Sequence, residues 1–405
     1  MDTDAALAET VRMEGTRILA TLIRTVGSLQ LAEDAVQEAA LRAMRDWPRT
    51  GVPAEPRAWL TVTARRVAID LLRREGARAQ KERASVELSV PDLPPDSVVA
   101  DDRLRLIFTC CHPALALEAQ VTLALRTLCG LSPAQIAAVL LTSEAAVAKR
   151  LTRTRKKIAA AAIPYRVPAD DELPARLAAV CAVLHTSYTI AHTAAGGDRL
   201  TDVDGTREAL RLARLVHELM PDEPAPMAVL ALQLLTDARR AARLDEAGEP
   251  IPLSDQDRTR WDTAAITEAL GLLNDSLRRT GGVADPYQLQ AAIAAEHARA
   301  ASYHATDWAE IVRLYDLLLS VRPSAPVALA RAVAIAERDG PAAGLQALAP
   351  LEPDQRWHAV RGELLSREGR FAEAVEATRA SLTEAVAEPE RRYRERRIAE
   401  WQANI

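Results

Sequence analysis

Two segments of the chain gather cations in patterns that suit a polyanionic partner. Between Arg57 and Arg83 stand Arg57, Arg65, Arg66, Arg73, Arg74, Arg78, Lys81 and Arg83, opposed only by Asp70, Glu75 and Glu82. At helical spacing Arg66, Arg73 and Arg74 share a face, which fits a run of DNA phosphates; the competing reading is a solvated helix face. The second group is Lys149, Arg150, Arg153, Arg155, Lys156 and Lys157, with Glu144 as its acid. It falls in GLSPAQIAAVLLTSEAAVAKRLTRTRKKI, which has the outline of a helix-turn-helix without the usual turn glycine. Ser132 is placed to cap a short helix over Pro133–Leu140, with Pro133 at the first helical position, where proline is tolerated. A break at 141–143 precedes a second helix from Glu144 that packs through Val147, Leu151 and Ile158. Side chains on such a helix reach base edges in the major groove and the flanking phosphates. Two cationic groups joined by a linker fit a protein that grips two spaced DNA elements.

The elements around these groups are predicted to be helices. Of 405 residues, 49% are hydrophobic and only 3% aromatic, so the apolar bulk is Ala, Leu and Val. Ala and Leu enter helices at little cost, and strand formers are scarce. The fold class expected is all-α. A formal net charge of −5 does not advertise nucleic-acid binding, but a global sum conceals local patches. One amphipathic helix is predicted over Leu31–Asp46, burying Leu31, Ala35, Val36, Ala39 and Met44. WPRTGVPAEP, Trp47 to Pro56, reads as a loop by its prolines and glycine. A second helix, Arg57–Glu75, has Leu60, Ala64, Val67, Ile69 and Leu71 along its core face. The proline-rich stretch Arg83–Pro95 reads as a linker, and helical pattern resumes from Asp101 to about Ala162. Beyond Pro164 and Pro168 the chain is helical again, with the helices Trp308–Val321, Val327–Asp339, Trp357–Glu368 and Phe371–Ala387. These pairs recur at roughly 30 residues, near the tetratricopeptide (TPR) period. The expected organisation is a small helical domain over 1–80, a linker over 81–100, a helix-turn-helix domain over 101–165 and a TPR-like domain over 170–405.

Other residue groups have plainer readings. Four cysteines in a chain this long make no disulfide framework. Cys110, Cys111 and His112 lie in an apolar helical stretch, where adjacent cysteines cannot easily share a tetrahedral metal shell. Cys181 and His185 have no second ligand pair. Asp255 and Asp257 lack the glycine and terminal glutamate of a calcium loop and are expected to cap the following helix. His297 and His304 read as packed or exposed. No glycine loop for phosphate and no nucleophile elbow is present, so neither an enzyme nor a cofactor is expected. With no leader or membrane-length apolar run, a cytoplasmic protein is expected.

AEDAVQEAALRAMRDW (Ala32 to Trp47), PRAWLTVTARRVAIDLLRRE (Pro56 to Glu75) and LSPAQIAAVLLTSEAAVAKRLTRTRKKI (Leu131 to Ile158) resemble, in order and separation, the extracytoplasmic-function sigma factors of the sigma-70 family. FTCCHPALALEAQVTLALRTLCG, SDQDRTRWD, PYQLQAAIAA and TDWAEIVRLYD resemble the subgroup with a long TPR-like extension. The resemblance implies that Asp34, Gln37, Glu38 and Leu41 dock on the β′ clamp helices of core RNA polymerase, with further contact to the β subunit. It implies that Trp59, Thr63, Arg65, Arg66, Asp70, Arg73 and Arg74 face the −10 element, where an unstacked base is captured in a pocket shaped partly by the loop after Trp47. Arg66 departs from the asparagine common in the family. Ser143, Glu144, Ala145, Lys149, Arg150, Arg153 and Arg155 match the −35 helix, Glu144 and Ala145 toward base edges and the later cations toward phosphates. Partners expected are core polymerase, promoter DNA, and a protein partner or intramolecular contact through the extension. Two other classes fit the bare residues: a helix-turn-helix regulator with a TPR-like sensor, and a TPR-like scaffold.

Overall fold

The computed structural model describes residues 3–79, 96–140, 142–161, 163–193, 201–281, 284–382 and 386–405. Residues 81–95 of the expected linker, Lys81 and Arg83 among them, lie outside the described residues, and 96–100 are helix rather than linker. No strand occurs among the described residues, whose one isolated bridge joins Leu244 to Pro250. The chain forms two compact units, 1–186 and 187–405.

The first unit holds α1 (Thr3–Val26), α2 (Leu29–Thr50), α3 (Pro56–Ala79), α4 (Asp96–Cys110), α5 (Leu117–Thr127), α6 (Pro133–Val139), α7 (Glu144–Ala160) and the first part of α8 (Leu173–His192). Helices α1, α2 and α3 pack on one another. Ala32, Ala35, Ala39 and Ala43 are buried on α2, and Ala64 and Ala68 on α3.

Helix α2 differs from its expected extent. It runs through Trp47 and Pro48 to Thr50 and ends at Gly51 (φ 81°), whose N–H bonds the Trp47 carbonyl at 2.9 Å. A proline inside a helix costs about 3 kcal/mol. Burying a tryptophan removes on the order of 200 Å² from water, about 5 kcal/mol at the usual coefficient. Trp47 is 1% exposed and meets the Trp59 ring edge-on at 5.6 Å between centroids. Burial wins, and residues 47–50 are helix where a loop was expected, while 51–55 form the non-helical connection to α3. The same phase turns Met44 outward to 53% exposure and brings Ala43 inward. On α3, Leu60, Ala64 and Val67 are buried as expected, while Ala68 takes the place that Ile69 and Leu71 were given.

Helix α4 ends at Cys110 rather than running on, because Pro113 disfavours helical backbone at His112. All four cysteines are buried thiols outside any disulfide. Burial pushes the Cys111 thiol up to about 12 and raises Cys110 as well, which leaves both as unreactive core residues.

Long-range polar contacts tie α1 to the end of α5, to α4 and to the segment after α7 within this unit. Thr16 on α1 donates to the Leu128 carbonyl at 2.9 Å. The buried Asp102 carboxylate of α4 accepts from Arg24 of α1 at 2.9 Å and from Arg105 at 3.2 Å. The Tyr165 hydroxyl lies within bonding reach of the Ala20 carbonyl (3.0 Å) and the Asp102 carbonyl (2.9 Å). On α8, Arg176 donates to the Phe108 carbonyl at 2.5 Å, and Leu177, Val180 and Cys181 are buried, which explains why the first unit reaches Thr186.

The second unit continues from α8 through α9 (Val203–Leu219), α10 (Pro224–Asp237), α11 (Thr263–Arg279), α12 (Pro286–Arg299), α13 (Trp308–Val321), α14 (Ala325–Asp339), α15 (Pro341–Leu348), α16 (Gln355–Arg367), α17 (Phe371–Ala380) and α18 (Glu388–Gln402). Each helix from α9 on packs on its successor, as in a repeat array. Helix α13 has the predicted bounds, but α15 and α18 were not foreseen, and the helix expected to reach Ala387 stops at Ala380. Both unforeseen helices carry proline in their first turn, the one place where that residue starts a helix. Asp257 caps only the short turn at Arg258–Arg260, through the Thr259 N–H; Asp262 caps α11, through the Ala265 N–H at 2.9 Å.

Gly362 sits where α16 and α17 meet. A Cβ there would collide with the Thr378 hydroxyl and stand 3.1 Å from the Ala374 carbonyl. Alanine would gain about 1 kcal/mol of helix propensity but overpack the contact at about 1–3 kcal/mol. Gly362→Ala is therefore expected to lower the urea midpoint of the second unit; a raised midpoint would show that this contact is loose.

Candidate nucleic-acid interface

Helices α6 and α7 are each set by a serine. Ser132 accepts from the Gln135 N–H at 3.2 Å while the Gln135 amide oxygen accepts from the Ser132 N–H at 2.8 Å, a reciprocal capping box. Ser143 caps α7 by accepting from the Ala146 N–H at 3.2 Å. The hydroxyl expected to face DNA is thus already engaged at the helix start. Ile136 and Val139 of α6 and Val147 and Leu151 of α7 are buried.

The remaining −35 candidates divide into two groups. Glu144, Ala145, Lys149 and Arg153 are exposed, together with Lys156 and Lys157, and form an outward cationic face. Arg150 instead bonds the Thr122 hydroxyl at 3.3 Å and pairs with Glu118 at 3.2 Å. Arg155 pairs with Glu33 of α2 at 2.5 Å. Glu33 is 6% exposed and also accepts from the Thr127 hydroxyl of α5 at 2.9 Å. Sequence reasoning missed Glu33: within AEDAVQE it looks like one more surface acid.

On α3, Val62, Arg66, Asp70 and Arg73 are exposed at spacings of one helical face. Trp59, Thr63 and Arg65 are half-buried, with Trp59 held by Trp47. The Arg74 and Arg78 side chains lie outside the described part of the structure.

Helix α2 presents the most distinctive surface. Asp34, Gln37, Leu41 and Met44 are exposed along one stripe, and both Leu41 and Met44 are 53% exposed. Glu38, beside this stripe, pairs with Arg42 at 3.0 Å and Arg45 at 3.5 Å. Leu41 and Met44 thus place two exposed apolar side chains in an otherwise polar helix face. No cluster of metal-ligating side chains occurs among the described residues, and no described helix is long and apolar enough to cross a membrane.

Comparison with known proteins fits this geometry. Residues 10–78 match the family model for Sigma-70 region 2, residues 105–158 match Sigma-70, region 4, and residues 176–277 match a family of unknown function, DUF6596. The chain therefore carries sigma-factor domains, the second a DNA-binding helix-turn-helix region, followed by a helical DUF6596 domain. It is 41% identical over 387 residues to the uncharacterized protein R00370 of Rhizobium meliloti (strain 1021), covering 93% of this chain and 91% of that one, and it belongs to the same family. It is also 33% identical over 189 residues to the ECF RNA polymerase sigma factor SigJ of Mycobacterium tuberculosis (strain ATCC 25618 / H37Rv), covering 43% of this chain and 59% of SigJ. No solved structure matches the chain. Sigma factors are not enzymes; domains of this kind serve transcription initiation by binding.

Proposed function

We propose that the chain is an alternative sigma factor that joins core RNA polymerase, recognises −35 and −10 elements and opens the promoter, under control of its C-terminal extension. The observation that carries this reading is the α2 stripe of Asp34, Gln37, Leu41 and Met44, acidic at one end and apolar at the other, beside Glu38. Such a stripe suits the β′ clamp helices, with charge steering the encounter and apolar burial holding it. The outward face of α3, with Arg66, Asp70 and Arg73, is assigned to the −10 element, with Trp59, Thr63, Arg65 and Arg74 around it. The outward face of α7 is assigned to the −35 element: Glu144 and Ala145 near base edges, Lys149 and Arg153 on phosphates. Arg150 and Arg155 join them only when their bonds to Glu118 and Glu33 open. The domain scheme is a polymerase and −10 domain over 1–80, a linker over 81–100, a −35 domain over 101–165 and a regulatory domain over 170–405, acting in the cytoplasm. A TPR-like extension suits a peptide or helix, or the sigma domains themselves.

The test is run-off transcription with bacterial core polymerase, a library of promoter fragments and the full chain. Transcripts that depend on the chain support the assignment. Tight, sequence-specific DNA binding without polymerase would instead indicate an ordinary helix-turn-helix regulator, and binding to neither DNA nor polymerase an interaction scaffold. For the holoenzyme, Arg153→Ala is expected to reduce the slope of log affinity against log salt by about 1, uniformly across promoters. An unchanged slope would remove Arg153 from the phosphate contacts.

A further inference from the structure

The second unit contains a cavity of about 370 Å³ whose walls come from α10, α12, α13 and α14. Leu235 and Leu318 are among its apolar walls, and its polar groups are Arg239, Gln290, His297 and Tyr315. No carboxylate lines it, so Arg239 is its one charged group.

Arg239 is unusual among its neighbours. Arg243 is spent on the His192 ring and carbonyl, at 2.7 and 3.2 Å. Arg258 is spent on the His297 and Ala300 carbonyls, at 2.6 and 2.7 Å, with the Trp261 ring 4.5 Å beneath it. Arg239 lies over the Trp261 ring, 5.9 Å from its centroid, and has no ion pair or hydrogen bond among the described residues. Its pKa is drawn down to about 10, first by desolvation and then by Arg243 and Arg258, with only the phenols of Tyr188 and Tyr315 opposing. Desolvated arginines are ordinarily paired, because an uncompensated charge in such a place is costly.

Among the other polar groups, Gln290 donates to the Pro286 carbonyl at 3.1 Å. Tyr315 lines the cavity, and the His297 Nδ1 is buried without a hydrogen-bond partner. Burial and the nearby arginines Arg239 and Arg258 lower the His297 pKa to about 4, so its ring is neutral and able to donate one hydrogen bond at neutral pH. A cation with no acid beside it, a phenol and an imidazole with a buried, unbonded Nδ1 thus converge on one apolar chamber.

We propose that this cavity binds a small monocarboxylic acid with an apolar body, its carboxylate on Arg239 and Tyr315 and its chain along Leu235 and Leu318. A carboxylate matches a guanidinium two bonds for two and balances its single charge. A phosphate monoester, at about −1.5 to −2, would leave excess charge against apolar walls. The volume lies in the range of pockets that enclose small ligands, about 300–1,000 Å³. A second cavity of about 840 Å³ shares His297, Tyr315 and Ala330 with the first and offers an approach. The site lies partly in the DUF6596 segment and is independent of the polymerase reading, since its test uses neither DNA nor polymerase.

The experiment is calorimetric titration of the full chain with octanoate and, separately, with octanamide, which keeps the body and lacks the charge. One octanoate is expected per chain, with octanamide at least tenfold weaker. Arg239→Gln is expected to weaken octanoate at least tenfold, and Tyr315→Phe, which removes a single oxygen, several-fold. Circular dichroism reports whether each variant folds; should Arg239→Gln fail to fold, Tyr315→Phe carries the test. No octanoate binding at millimolar concentration, equal binding of acid and amide, or unchanged affinity in a folded variant would each overturn the proposal. Tighter binding of an N-acetylated tripeptide ending in a free leucine carboxylate would overturn the small-acid assignment in favour of a chain terminus.

Discussion

Changing Leu41 and Met44 together to aspartate is expected to abolish transcription that depends on this chain while leaving its fold intact. Both side chains are 53% exposed on α2, so neither contributes much to the core and both are available to a partner. Burying the exposed half of two such side chains at an interface contributes about 2–3 kcal/mol, an affinity factor on the order of tens to a hundred. Aspartate at both positions adds charge that would have to be desolvated. The single change Glu38→Ala is expected to be milder, because Glu38 is already committed to Arg42 and Arg45. Gel-filtration of the chain with core polymerase separates docking from later steps: the double variant should elute free. Full transcription and co-elution by the double variant would remove α2 as the docking helix.

The second large effect concerns Glu33. Its side chain is 7% exposed, pairs with Arg155 of α7 and accepts from Thr127 of α5, 94 residues away. Removing one partner of a buried pair leaves the other charge uncompensated, at a cost of about 3–5 kcal/mol. Glu33→Ala is expected to destabilise the first unit by that amount and to accelerate amide exchange in α2, α5 and α7. The paired change Glu33→Met with Arg155→Met is expected to restore most of the loss, since apolar replacement of a whole buried pair is often neutral. Equal loss in the single and paired variants would show that Glu33 acts by packing alone. The pair also has a functional edge: it holds Arg155 away from the outward face of α7, so breaking it changes how many cations that face presents.

Much of the first unit is legible in the chain because its signals are local. Ser132, Pro133 and Gln135 carry the start of α6 within four residues, and Ser143 with Val147 and Leu151 carries α7. Region order and the cationic composition of α3 and α7 need no tertiary information either. In the second unit, Trp308 to Val321 is a complete helical signal between Asp307 and the following proline.

What local pattern leaves open is phase and pairing. Periodicity gave Leu31, Ala35 and Ala39 their inward places, but it put Met44 inside and Trp47 in a loop, whereas Trp47 is buried against the Trp59 ring and Met44 faces out. Glu33 and Asp34 are adjacent acids of the same type; one is buried under Arg155 and the other faces solvent because of helices much later in the chain. Arg150 and Arg155 belong to the cationic run by sequence and leave the outward face by tertiary contact. Arg239 and Arg240 are neighbours too, yet Arg240 has Asp237 within 3.6 Å while Arg239 faces a chamber with no acid. Sequence determines which residues carry charge and which stretches are helical, because helix propensity, capping and period act within a few residues. Which charges are neutralised, and which are left for a partner, is decided by helices that meet across the fold, since electrostatic compensation depends on distance in space and not along the chain.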